Sequence, residues 1–156
     1  MTNRPINRML EPHVLSRPCP PDWNGDARVS QLPIFLRPEW FRLFDRHIRL
    51  SNERTVSLSV VEDGRTVSYL PAYTNNGITG RVLNGVTNFY SPIFRIISLA
   101  PIGTSDYVSL ARHHRRFFYR FDRLNFVPLL ASDAKALQEA FEQIGLPCFV
   151  YIHSVN

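Results

Sequence analysis

The sequence predicts an α/β fold, a mixed and largely antiparallel sheet with helices packed on its faces. Three observations carry this expectation. Two β-rich runs, TVSLSVVE and RTVSYLPAYT, flank Asp63-Gly64, and a two-residue Asp-Gly loop signals a hairpin because its turn needs positive φ. Three stretches, near residues 38–49, 105–121 and 132–145, place apolar side chains at helical spacing. Beyond the hairpin, helical and strand-like segments alternate, as they do when helices pack on a sheet.

The elements follow in order. Residues 1–31 hold Pro5, Pro12, Pro18, Pro20 and Pro21 with no sustained period, which predicts a flexible, proline-rich leader. Folded structure is expected over 32–156 as one domain. In PEWFRLFDRHIR, Pro38 suits the first helical turn, where its missing N–H costs nothing. Trp40, Phe41, Phe44 and Ile48 share one arc with Leu43 at its margin, while Arg42, Arg46 and Arg49 lie opposite. The hairpin register predicted from the Asp-Gly turn sets Glu62 against Arg65, Val60 against Val67 and Leu58 against Tyr69. Pro71 removes a ladder donor and marks a bulge, a strand end or an edge. Asn75-Asn76-Gly77 and Gly80 turn the chain into a short strand over 81–84, followed by the irregular stretch GVTNFYSPIF.

From Ser105 to Phe121 the period is helical again, with Tyr107, Ala111, His114, Phe117, Phe118 and Phe121 on one side. Leu124 to Leu129 reads as a strand. Ser132 is placed to cap the next helix, Leu137, Ala140, Phe141 and Ile144 form its inner face, and Gly145 with Pro147 ends it. CFVYIHSV is expected to be a final strand, one that needs a neighbour or a cover.

Composition narrows the function. Net charge is +5, and 17 of the 18 basic residues are arginine, with Lys135 the single lysine. Guanidinium groups suit phosphate and carboxylate, but the longest basic run is Arg115-Arg116, which argues against nucleic acid as a partner. No apolar run reaches the roughly 18 residues needed to cross a bilayer. Cys19 and Cys148 have no Cys or His at ligand spacing, so neither a disulfide framework nor a metal site is expected, and the default setting is cytoplasmic.

Motif tests return mostly negatives. Gly80 to Gly85 has the outer spacing of a phosphate loop, but Val86 stands where its lysine belongs. No two glycines are separated by one residue, so a dinucleotide loop or its acyl-CoA analogue is missing and no cofactor is expected in this chain. His113 and His114 diverge by about 100° on a helix and do not meet one metal. Arg112, Arg116 and Arg120 recur at i, i+4 and i+8 and read either as a solvated face or as a site for an anionic partner. The loop Asn84 to Pro92 concentrates polar and aromatic groups where a strand is left. Asn84, Asn88, Tyr90 and Ser91 are therefore candidates for an acceptor cleft or an interdomain contact, the other reading being a turn whose aromatics fill the core.

Four segments together resemble a family: FLRPEWFRLF; the strand pair around Glu62-Asp63-Gly64-Arg65 ending in YLPAY; RVLNGVTNFYSP; and YRFDRLNFVPL with Ala131 to Gly145. They are similar to the amino-terminal GNAT-like half of the CelD/BcsL-like acyltransferases. These are cellulose-biosynthesis-associated bacterial proteins with two GNAT-like domains in tandem, related in layout to FemAB-type transferases. The likeness spans about residues 33–150. In that family the loop matching Asn84 to Pro92 usually carries an acidic residue before the aromatic, where this chain has Asn88.

The resemblance implies a GNAT-like sheet that is incomplete in this chain, with acyl-CoA held by a second domain. It also implies that this chain alone is inactive, and that its partner is that second domain or a homodimer mate. The function expected from it is the non-catalytic amino-terminal part of an acyl-CoA-dependent N- or O-acyltransferase acting on a cell-envelope or polysaccharide precursor. Two other readings stand beside it: an arginine-rich module for nucleic acid or an acidic partner, and a self-associating pseudoenzyme domain.

Overall fold

The hairpin is centred where the sequence places it. Strands β2 (Glu53–Glu62) and β3 (Arg65–Gly77) meet at Asp63 and Gly64, with φ of 51° and 75°. Here, as throughout, the structure is a computed structural model, describing residues 11–78, 80–86, 94–127 and 130–150. Glu62 faces Arg65 as expected, but the register then shifts: Val61 faces Thr66 and Val60 faces Ser68, which leaves Val67 without an opposite residue. The expected pairs Val60–Val67 and Leu58–Tyr69 are therefore replaced by Val60–Ser68 and Leu58–Leu70, with Tyr69 opposite Ser59. A one-residue bulge moves every later side chain of β3 to the other face.

That shift sorts the two cores. Val56, Leu58, Val60, Leu70 and Ala72 join Leu83, Phe94 and Ile96 beneath helices α2 (Thr104–His113), α3 (Arg115–Phe118) and α4 (Ala131–Gln143). Tyr69 turns to the opposite face, where Cys19, Trp23, Val29, Leu36, Phe41, Phe44 and Ile97 surround it. There α1 (Pro38–His47) covers the sheet. It buries Phe41 and Phe44, whereas Ile48 lies past its end and is exposed, as is Leu43.

The proline-rich segment is not a loose leader over its described part. Strand β1 (Glu11–Leu15) pairs antiparallel with β2, and short 3-10 turns at Pro21–Trp23, Ala27–Gln31 and Ile34–Leu36 lead into α1. Trp23 is 3% exposed and donates its indole N–H to the Thr66 carbonyl at 2.9 Å, while Asp22 accepts the Thr66 N–H at 2.8 Å. Both backbone groups of the residue beside the bulge are thus taken by the segment, which explains how it stays seated without a period of its own.

The sheet runs β1-β2-β3, then β4 (Gly80–Gly85) and β6 (Arg123–Asn125), with β5 (Ile97–Ser98) also pairing β3. Among the described residues all pairs are antiparallel except β4 with β6. Pro71 sits inside a central strand, between the reach of β4, which begins pairing at Ala72, and β5, which pairs Ser68 and Tyr69. Its carbonyl accepts the Val86 N–H at 3.2 Å, so its nitrogen faces the same gap and no ladder bond is lost.

The long second helix divides at His114, whose backbone (φ −104°, ψ 16°) leaves the helical range. The buried imidazole bonds through Nε2 to the Ser59 carbonyl at 2.9 Å, which fixes Nε2 as the protonated nitrogen. Helix α4 starts at Ala131, so Ser132 lies inside its first turn and the cap position belongs to Leu130, which makes no side-chain bond. Of the expected final strand, residues 148–150 are not in a strand and the rest lies outside the described residues.

Candidate functional site

Parallel strands open at their carboxyl ends, and that is where α/β sheets place ligands. Here the pair is β4 and β6, in register from Val82–Arg123 to Asn84–Asn125. Asn84, a sequence-predicted candidate, accepts a hydrogen bond from Asn125 Nδ2 at 3.3 Å. Gly85 follows, and a Cβ there would lie 2.7 Å from Phe94. Phe94 stacks on Phe126 at 5.2 Å between ring centroids, and Phe126 on Phe141 at 5.9 Å. These rings fill the space beneath the strand ends. The other loop candidates, Asn88, Tyr90 and Ser91, lie outside the described residues.

Beside this stack is a buried polar cluster contributed by three elements. Arg95 precedes β5, Tyr107 lies in α2, and Asp133 lies in the first turn of α4. Tyr107, 1% exposed, donates its hydroxyl to Asp133 Oδ1 at 2.7 Å and accepts the Ile96 N–H at 3.4 Å. Burial, reinforced by the Asp133 carboxylate that takes its proton's hydrogen bond, holds the Tyr107 phenol far above its ordinary pKa. Asp133 is 5% exposed, and its charge gains from the amino end of α4. Arg95 Nη2 stands 3.6 Å from Asp133 Oδ1, an ion-pair distance too long for a hydrogen bond. Asp133 Oδ2 and Arg95 Nε are both buried without a partner.

The arginine candidates are not brought together on one helix. Arg112 lies in α2 and donates to Gln143 Oε1 of α4 at 3.1 Å. Arg116 is exposed in α3, and Arg120 lies beyond α3 with its guanidinium 6.0 Å from the Phe117 ring centre. The turn at His114 divides the stripe.

Two of the hollows among the described residues are open to solvent. One of about 340 Å³ lies at the amino end of α1, between Trp23, Asp26, Glu39 and Arg42. The other, about 190 Å³ and mostly apolar, has Arg95 among its lining residues. Among the described residues no cluster of His, Cys, Asp and Glu is arranged to hold a metal ion, and no helix is long and apolar enough to cross a membrane. Both cysteines are free, and burial raises the pKa of each thiol.

Sequence reasoning missed the Arg95–Tyr107–Asp133 cluster. Tyr107 reads there as one more core aromatic, while Asp133 and Arg95 are given no role. The one available signal is a carboxylate in the first turn of a helix whose neighbours are otherwise apolar. Comparison of the chain with protein families, curated proteins and solved structures finds no match.

Proposed function

We propose that the chain is a GNAT-like, non-catalytic amino-terminal domain of a bacterial acyl-CoA-dependent N- or O-acyltransferase that acts on a cell-envelope or polysaccharide precursor. The observation that carries the reading is the one parallel pair among the described residues, β4 with β6, in a largely antiparallel sheet flanked by helices. Its carboxyl end presents the amides of Asn84 and Asn125, groups that hydrogen-bond sugar or amine acceptors in either direction. The role of this end is to shape the acceptor side, while a second GNAT-like domain or a homodimer mate supplies the cofactor.

A local feature supports assigning acyl-CoA elsewhere. At the amino end of α2, the Gly103 N–H donates to Asp106 Oδ2 at 2.7 Å. A carboxylate thus takes the amide and adds negative charge at a helix end that would otherwise attract pyrophosphate. A cytoplasmic setting accompanies the reading, since both cysteines are free thiols.

The test is calorimetric titration of the purified 156-residue chain with acetyl-CoA, paired with amide-detected NMR in which amino sugars and hydroxyl sugars are added. The expected result is no heat with acetyl-CoA and acceptor-induced shifts at Asn84 and Asn125. Stoichiometric micromolar uptake of acetyl-CoA would overturn the division of labour, and sugar-insensitive Asn84 and Asn125 amides would remove the acceptor role.

A further inference from the structure

We propose that the apolar cleft lined in part by Arg95 binds a short aliphatic carboxylate, its tail between the 3-10 turn at Ile34–Leu36 and the 97–102 segment and its head on the Arg95 guanidinium. The walls are apolar, formed by Leu32, Leu36, Ile97 and Ile102 with Pro33 and Pro101, and Arg95 is the one charged residue among those lining it. The volume is about 190 Å³, more than ten times the roughly 10–15 Å³ that one water needs on the same measure, so a short aliphatic acid fits. A mostly apolar hollow with one placed polar group is the usual form of a small-molecule site.

The headgroup follows from what holds Arg95. Its side chain is 30% exposed. Its contact with Asp133 is loose at 3.6 Å, so its hydrogen-bonding fork is not consumed. Asp133 is supported independently, by the Tyr107 hydroxyl at 2.7 Å and by the amino end of α4. The carboxylate therefore does not use up the guanidinium's donors, whose geometry suits the two oxygens of an incoming anion. A ligand ammonium would meet Arg95 first, because the Asp133 side chain is only 6% exposed. A neutral alcohol would gain the apolar contacts and forgo the charge-assisted bonds. The proposal does not depend on the acyltransferase reading.

The experiment is methyl-detected NMR of the full chain titrated separately with butanoate, 1-butanol and butylamine. Saturable shifts of the Ile97 and Ile102 methyls with butanoate are expected at millimolar concentrations, with both other probes about tenfold weaker, as loss of a charge-assisted bidentate contact implies. Arg95→Gln should abolish the preference for butanoate over butanol. If that variant fails to fold because Asp133 is left buried and unpaired, Arg95→Gln with Asp133→Asn removes both charges at nearly constant volume and must give the same loss of preference. No methyl shift at saturating butanoate, equal response to the three probes, or an intact preference in either variant overturns the proposal.

Discussion

Replacing Trp23 by Phe tests whether the proline-rich segment is part of the folded unit. The indole N–H is the partner of the Thr66 carbonyl at 2.9 Å, and its ring meets Tyr69 edge-on at 5.1 Å between centroids. Phe keeps an aromatic ring but leaves the carbonyl beside the bulge without its donor. A half-buried acceptor stranded in this way costs about 1 kcal/mol, the low end of the range for a lost partner, and the smaller ring leaves a gap worth a further kcal/mol or so. A loss of about 2 kcal/mol should appear as a lower urea midpoint by far-UV circular dichroism, with unchanged slope. Hydrogen exchange supplies the local readout: Asp22→Ala should speed exchange of the Thr66 amide, which now donates to Asp22 at 2.8 Å. A Trp23→Phe midpoint within about 0.5 kcal/mol of the parent, the range of an inconsequential surface change, would show that the segment does not clamp the bulge.

Four further outcomes are expected. Gly85→Ala drives a methyl to within 2.7 Å of Phe94 and compresses the Phe94–Phe126–Phe141 stack, so stability should fall by about 1–3 kcal/mol; a neutral calorimetric result would mean the stack yields freely. Tyr69→Phe should be stabilising by roughly 1 kcal/mol, because the hydroxyl is fully buried without a hydrogen-bond partner, and marked destabilisation in urea melts would contradict this. Stability should decline as pH rises above about 10: burial raises the pKa of Tyr69, and burial with Asp133 raises that of Tyr107, so the unfolded chain loses these protons first and the native advantage present below pH 10 is lost toward the folded values. Urea midpoints that stay level from pH 9 to 11 would refute it. Changing Arg112, Arg116 and Arg120 together to Gln should alter stability by less than about 1 kcal/mol, and the parent should show no steeply salt-dependent binding to oligonucleotides; a slope that the triple variant flattens would favour the arginine-rich module instead.

What the sequence made legible was local. The Asp-Gly turn, the helical periods and the short strand after Gly80 each follow from residues within one turn or one strand of each other, and they appear in the structure, the second helical period divided at His114. The bulge escaped notice because Val67 is an ordinary strand residue, and nothing in the run marks it as the extra one. The first strand and the 3-10 turns escaped because side-chain bonds from Asp22 and Trp23 to a distant backbone hold them, not periodicity. At the site, Asn84 could be singled out from its place at a strand end. Arg95, Tyr107 and Asp133 could not, since they come from three separate segments and meet only when α2 and α4 pack against the sheet.

The lone parallel strand also dictates an order of assembly. β2, β3 and β4 are consecutive and close through short turns, so they can pair as soon as they leave the ribosome. Beyond Gly85 the chain must first wind α2 and α3 before Arg123 can return to the same sheet, and such a distant closure is slow. Until then the outer rim of β4 presents unpaired amides and carbonyls to any passing chain. Truncation before Arg123 would leave that rim permanently bare, and the shortened product should aggregate where the longer one folds.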